Sequence, residues 1–171
     1  LLNDAVRIRL RSDVPVGCML SGGLDSGSIT ALAARQHDRF ITFSGVTGSG
    51  YYDESEYINE VVRRSGVDSR FIYPTASQLL PTLREMLSFH DEPVCTVTWY
   101  SNYVITREIA KHRVPVILTG HGGDELLAGY WDHYHYNFND LRKAGLGDEQ
   151  ERACWQENHR RPWEEYEQEW D

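Results

Sequence analysis

Apolar positions along this 171-residue chain alternate between two rhythms. Residues 1–13, LLNDAVRIRLRSD, place Leu2, Val6 and Leu10 at near-helical spacing and predict an opening helix. VPVGCML is a short continuous apolar run that stops at Ser21-Gly22-Gly23, which predicts a buried strand and a turn. SGSITALAARQ returns to helical spacing, and RFITFSGV reads as a second strand. DESEYINEVVRRSG is a helix with Ile58, Val61 and Val62 on one face, closed by Gly66, and SRFIYP is a third strand. ASQLLPTLREMLSF predicts a helix interrupted or started at Pro81. A polar segment, HDEPVCTVTW, leads to the helix YSNYVITREIAKHR, and VPVILTG is the last strand. From Asp124 onward the pattern is helical and increasingly polar, ending in a charged, Trp-rich tail. Strands separated by helices predict an α/β fold: a parallel sheet, right-handed crossovers and helices on both faces.

Composition narrows the function. Seventeen Lys and Arg against 26 Asp and Glu give a formal charge of −9, which argues against a nucleic-acid surface. Hydrophobic residues at 40% and aromatics at 12% are enough for a packed core. Cys18, Cys95 and Cys154 are far apart and in no C-x-x-C pair, so neither a disulfide framework nor a zinc site is expected, and a cytoplasmic location is. No apolar run approaches the ~20 residues of a membrane span. The first residue is Leu within a helical pattern, so the chain is expected to begin inside a larger protein.

In an open parallel sheet, ligands bind beyond the carboxyl ends of the strands. Two glycine-rich loops fall there, SGGLDS after the first strand and TGHGGDE after the last. Gly22 and Gly23 let a ligand approach the main chain, the following helix offers free N–H groups, and Ser21 and Ser26 can add hydroxyl donors. Such a loop suits phosphate. It is not a Walker A loop, since no lysine is present, nor a dinucleotide G-x-G-x-x-G. Its order, Gly-Leu-Asp-Ser-Gly, also fails the G-x-S-x-G nucleophile elbow. Asp25 is then the informative residue. A carboxylate beside a polyphosphate is repulsive unless a cation lies between, and Mg²⁺ takes one or two carboxylates plus phosphate oxygens. Asp124 is the natural second ligand. The plain alternatives are that Asp25 caps the following helix and that TGHGGDE is an ordinary turn.

SGGLDS resembles the pyrophosphate-binding loop of the N-type ATP pyrophosphatases. VPVGCMLSGGLDSGSITAL with VPVILTGHGGDELLAGY resembles the synthetase domain of the asparagine synthase family, over about Leu1 to Tyr136. The resemblance implies an α/β parallel sheet of the adenine-nucleotide alpha-hydrolase-like (PP-loop ATPase) type, with a partial synthetase domain over 1–139 and a helical, charged extension over 140–171. It implies adenylylation of a carboxylate by ATP, loss of pyrophosphate, and displacement of AMP by an amine, with aspartate converted to asparagine. Ser21, Gly22, Gly23, Asp25 and Ser26 would hold pyrophosphate, with Asp25 and Asp124 on Mg²⁺. Leu20, Phe43, Ser44, Gly45, Thr119 and Gly120 would flank the adenosine. Ammonia would come from an N-terminal glutaminase domain outside this chain, and a homodimer is left open. Two departures stand out. His121 occupies a position where many family members have Glu or Gln, and it is assigned a catalytic role as a hydrogen-bond donor or proton shuttle. No arginine lies between Arg84 and Arg107, where asparagine synthetases often carry a Thr-Thr-x-Arg segment for aspartate. The alternatives are a synthetase acting on another carboxylate, β-lactam synthetase-like or lasso-peptide cyclase-like, or a nucleotide-binding module that has lost catalysis.

Other clusters read as structural. His133 and His135 are two apart and so fall on different helix faces, which disfavours a metal pair. YYDESEY suits a helix N-terminus, where acidic side chains match the dipole. Tyr130, Trp131, Tyr134 and Tyr136 are expected to pack, and Arg160 with Arg161 to form a solvated face.

Overall fold

The computed structural model describes residues 1–50, 53–90, 92–94, 96–147 and 149–157. Arg160 and Arg161, like Tyr51, Tyr52 and Cys95, lie outside the described residues. The chain divides into two compact units, Leu1–Gly120 and the residues from His121 onward. This boundary reflects compactness, whereas the one expected near residue 139 reflects motif coverage.

The first unit is a four-stranded parallel sheet. Its elements are α1 (Leu2–Arg9), β1 (Val16–Met19), α2 (Leu24–Ala34), β2 (Ile41–Gly45), α3 (Ser55–Ser65), β3 (Asp68–Ile72), α4 (Leu79–Leu87), α5 (Val97–Lys111) and β4 (Val116–Leu118). The spatial order is β3-β2-β1-β4. Register pairs Cys18 with Thr42 on one side and with Leu118 on the other.

Side-chain alternation along the strands separates the two faces. Val16, Cys18, Val116 and Leu118 join Val6 of α1 and Ala33 of α2 in one cluster. Met19, Ile41, Phe43 and Ile117 face the other way, against Met86 of α4 and Tyr100, Val104, Ile105 and Ile109 of α5. The helices therefore cover both faces, as the strand-helix alternation predicts. Burial pushes the Cys18 thiol up to about 11, with the Thr30 hydroxyl beside it acting in the opposite sense.

Local chemistry explains the ends of several elements. Gly66 ends α3 in the left-handed conformation at φ 69°, returning its N–H to Val62. Pro81 sits in the first turn of α4, after a 3₁₀ turn at Ala76–Gln78, so its missing N–H costs no internal helix bond. The α5 helix starts at Val97, three residues before the expected start at Tyr100, because Thr96 in extended conformation is its boundary.

The second unit holds α6 (Gly123–Leu127), α7 (Trp131–Lys143) and a helical stretch over 149–157. Its aromatic core is Phe138, 5% exposed, with the rings of Tyr134 and Trp155 against it. Tyr136, 66% exposed, and Tyr130, 46% exposed, depart from the packing expectation, while Tyr134, 37% exposed, keeps its ring against Phe138.

Candidate functional site

The sheet changes direction of growth between β1 and β4. From β1 the chain winds outward through β2 and β3, then returns through α5 to place β4 on the other side. Such a switch point leaves a crevice at the carboxyl ends of the two central strands. Leu20 to Ser26 follow β1 at that edge, and Thr119-Gly120 follow β4.

The first loop is shaped by its own hydroxyls. The Ser26 Oγ, in a residue 4% exposed, accepts from the Ser21 N–H at 3.2 Å, shares a 3.0 Å bond with Ser21 Oγ, and donates to the Gly23 carbonyl at 3.3 Å. Ser26 is thus an internal staple, and the exposed Ser21 belongs to the same network, since its hydroxyl donates to Ser26 and accepts from the Gly23 N–H at 3.4 Å. Gly22 is at φ +92°, and a Cβ there would lie 3.1 Å from Tyr57 Cβ and 3.2 Å from the Glu54 carbonyl. A left-handed turn with no room for a side chain requires glycine.

Gly23 is the N-cap of α2 and supplies no side-chain cap. The N–H groups of Leu24, Asp25 and Ser26 therefore point out of the helix end, where the dipole favours an anion. Asp25 lies inside the first turn and is not the cap, which disposes of the simplest structural alternative for it. Among the described residues its carboxylate has no hydrogen bond or ion pair.

The second loop reaches the first. A Cβ on Gly120 would stand 3.0 Å from the Asp25 Cβ and 3.0 Å from the Ser26 nitrogen. The Gly120 backbone thus lies directly on the first turn of α2. Beside it, an apolar crevice of about 650 Å³ opens along α5, lined by Met19, Thr106, Ile109, Ile117 and Thr119.

The remaining candidates in this unit are placed less openly. Leu20, Phe43 and Ser44 are each 1% exposed, and the Phe43 carbonyl is taken by the Leu20 N–H at 2.9 Å. Gly45 is exposed, and a Cβ there would meet Ile105 Cδ1 at 2.7 Å, so close packing of α5 accounts for this glycine.

In the second unit, His121 and Asp124 are exposed, on either side of the left-handed Gly122 that starts α6. The Asp124 carboxylate lies against Gly129. Glu125 accepts a 2.8 Å bond from the Tyr130 hydroxyl. Its carboxyl is held below the usual range by its own backbone N–H, then by Tyr130 and by the charges of His121 and His133. The rings of His133 and His135 turn to different partners, Tyr130 and Trp155.

Two features escaped the sequence reading. Glu54 forms the wall behind Gly22, and burial raises its carboxyl pKa. The signal was available, because Glu54 also follows a strand at the carboxyl edge of the sheet. Its neighbour Asp53 ties the preceding loop, accepting from Ser55 Oγ at 2.7 Å and from the Gly48 N–H at 3.1 Å. The second missed feature is the Tyr130 to Glu125 bond, which a spacing of five residues conceals.

Mg²⁺ is the ion implied by this kind of loop, and the donor set can be tested against it. Among the described residues no three His, Cys, Asp or Glu side chains gather into a cage. A hard cation held by one or two carboxylates together with substrate phosphates needs no such cage. A free carboxylate beside unpaired helix N–H groups supplies what that arrangement requires, so the residues fit.

A family model described as Asparagine synthase matches residues 1–170. The chain belongs to the asparagine synthase family. Relatives include a putative asparagine synthetase [glutamine-hydrolyzing] 2 of Methanocaldococcus jannaschii, 37% identical over 146 residues, covering 84% of this chain and 28% of that protein. A putative asparagine synthetase [glutamine-hydrolyzing] of Mycobacterium tuberculosis is 39% identical over 132 residues, covering 76% of this chain and 20% of that protein. This asparagine synthase family chain therefore spans only about a quarter of the length of the relatives it matches. Among solved structures, an NH3-dependent NAD synthetase from Campylobacter jejuni is similar in fold, with TM-score 0.50 and 16% identity, covering 75% of this chain and 57% of that one. That likeness supports the parallel α/β fold of the family chain. Among its described residues, no helix is long and apolar enough to cross a membrane.

Proposed function

We propose that this chain is the nucleotide-activating part of a ligase that forms an amide from a carboxylate at the expense of ATP. The observation that carries the reading is the seating of Gly120 on the first turn of α2, which makes one crevice of two strand-end loops at the switch point. A carboxylate oxygen of the acceptor attacks the α-phosphorus of ATP, and the bond to the pyrophosphate breaks. Ammonia then attacks the acyl carbon, and AMP leaves as the amide forms.

In this scheme the N–H groups at the start of α2, with Gly22, Gly23 and the Ser21 hydroxyl, receive the departing pyrophosphate. Ser26 holds that loop in shape. Asp25 and Asp124 would hold Mg²⁺, which neutralises charge on the phosphates. Thr119, Gly120 and the end of β2 at Ser44-Gly45 flank the adenosine, with Leu20 and Phe43 as buried support. The apolar crevice beside Thr119 suits the face of a base. His121 is assigned to proton transfer during attack by ammonia. The acceptor is read as aspartate, and the ammonia as the product of glutamine hydrolysis elsewhere in a larger protein, in line with the names of the relatives.

Pyrophosphate and AMP formation should be measured with ATP, Mg²⁺, ammonia and aspartate. Equal yields of AMP, pyrophosphate and asparagine are expected. Release only with a different acid would move the substrate assignment. ATP binding without release under any acid would leave a nucleotide-binding module.

A further inference from the structure

The loop at Ser21–Ser26 rests on the first turn of α3. A Cβ on Gly22, at φ +92°, would lie 3.1 Å from Tyr57 Cβ, 3.2 Å from the Glu54 carbonyl oxygen and 3.3 Å from Glu54 Cβ. None of these atoms is the free end of a side chain. The left-handed turn at Gly22 is therefore seated against the main chain of α3, and its place follows the place of that helix end.

The helix end is tied down by Asp53. Glu54 is the N-cap of α3 and makes no side-chain capping bond. The Asp53 carboxylate, one residue earlier, fills that role: its Oδ1 accepts from the Ser55 hydroxyl at 2.7 Å and from the Gly48 N–H at 3.1 Å, and lies 3.5 Å from the Thr47 hydroxyl. The Asp53 N–H donates to the Gly50 carbonyl at 3.0 Å. Among the described residues, the hydrogen bonds between the start of α3 and the loop after β2 all pass through Asp53. Its carboxyl is held below the usual carboxylate range, by the Ser55 hydroxyl first and then by the N–H groups of Gly48 and Ser55. The buried Ile58 anchors α3 one turn further on, so the clamp acts on the part of the helix that meets Gly22.

We infer that Asp53 is a positioning residue for the pyrophosphate: by clamping the loop after β2 to the first turn of α3, it fixes the surface against which Gly22 sets the phosphate loop. This rests on the reading of Ser21–Ser26 as that loop. Binding groups need to be held within about 0.5 Å of their working positions, and a donor that loses a charge-assisted bond to an anion gives up about 10–100-fold in affinity. The side-chain contacts of Asp53 fall on one oxygen, so the carbonyl oxygen of an asparagine can keep them without the charge.

The test follows the full chain at a temperature where each variant is folded by circular dichroism, through the amide resonances of Gly22 and Gly23 and through calorimetric affinity for inorganic pyrophosphate with Mg²⁺. Asp53→Ala should shift both resonances and weaken pyrophosphate binding about 10–100-fold. Asp53→Asn should restore the resonances and bring the affinity to within about threefold of the parent. A residue that merely stabilises the fold would lower the thermal midpoint in Asp53→Ala and leave both readouts where they were, and that result overturns the inference. An Asp53→Asn protein as impaired as Asp53→Ala would show that the charge itself is needed, and overturns it too. A parent chain that binds no pyrophosphate would remove the phosphate-loop reading and this inference with it; a parent that binds, with Asp53→Ala binding equally well, would remove the positioning role alone. Where Asp53→Ala does not fold, Ser55→Ala carries the test: it deletes the 2.7 Å bond and should weaken pyrophosphate binding about 2–10-fold, and unchanged affinity there overturns the inference.

Discussion

Replacing Gly120 by alanine tests the contact on which the site depends. The new Cβ would stand 3.0 Å from both the Asp25 Cβ and the Ser26 nitrogen. Comfortable carbon contacts lie at about 3.5–4.0 Å, so one side must retreat by roughly 0.5–1 Å. Neither neighbour is the free end of a flexible side chain. Both belong to the first turn of α2, whose N–H groups are assigned to the pyrophosphate, and the Ser26 hydroxyl ties that turn to Ser21 and Gly23. Overpacking of this kind costs about 1–3 kcal/mol, and for a chain of this size each kcal/mol moves the thermal midpoint by roughly 2–4 °C. The functional loss should be larger. Hydrogen bonds need donor-acceptor distances near 2.7–3.1 Å, and misplacement of an aligned group by about 1 Å commonly costs around 100-fold in rate. Gly120→Ala should therefore lower the midpoint by roughly 2–12 °C and reduce ATP-dependent pyrophosphate release by about two orders of magnitude. Gly147→Ala is the control, because a Cβ there meets nothing and should change stability by less than about 0.5 kcal/mol. A Gly120→Ala protein with parental ATP affinity and midpoint would show that the two loops are not in contact, and the crevice argument would fail.

Three further outcomes are expected. Asp25→Asn should weaken binding of Mg²⁺-ATP by at least about tenfold, near 1.4 kcal/mol, while metal-free ATP binds no worse, since the carboxylate only repels phosphate without the ion; equal losses in the two calorimetric titrations would contradict the metal role. Ser26→Ala should cost about 1–3 kcal/mol of stability, because the Ser21 N–H loses a buried acceptor, whereas Ser21→Ala should lower ATP affinity with little change in melting. Cys18 should make the fold sensitive to alkali: its folded pKa of about 11 lies above the 9.0 of an unfolded thiol, so the unfolded chain sheds the proton first. Through this group stability is full below pH 9 and declines as pH rises towards 11, by about 1.4 kcal/mol per pH unit. Cys18→Ala should flatten that part of a denaturation-against-pH curve, and an unchanged slope would remove Cys18 from the explanation.

The sequence alone determined the class of the fold and picked out the two loops on which the proposed site is built. Both are local signals: short apolar runs such as VPVGCML and VPVILTG end in glycine, helical periodicity follows, and parallel pairing is the usual way to bury strands joined by helices. Placement of SGGLDS and TGHGGDE after strands followed from the same pattern. What the sequence left open depends on distances between segments remote along the chain. That β4 lies beside β1, rather than beyond β3, follows from packing α5 against the opposite face of the sheet, and only this brings Gly120 onto Asp25 and Ser26. Ser26 looked like a ligand donor because a hydroxyl in a phosphate loop is one in principle; its burial and its bonds to Ser21 and Gly23 made it a staple. Gly45 looked like a binding residue, whereas the approach of Ile105 supplies a packing reason.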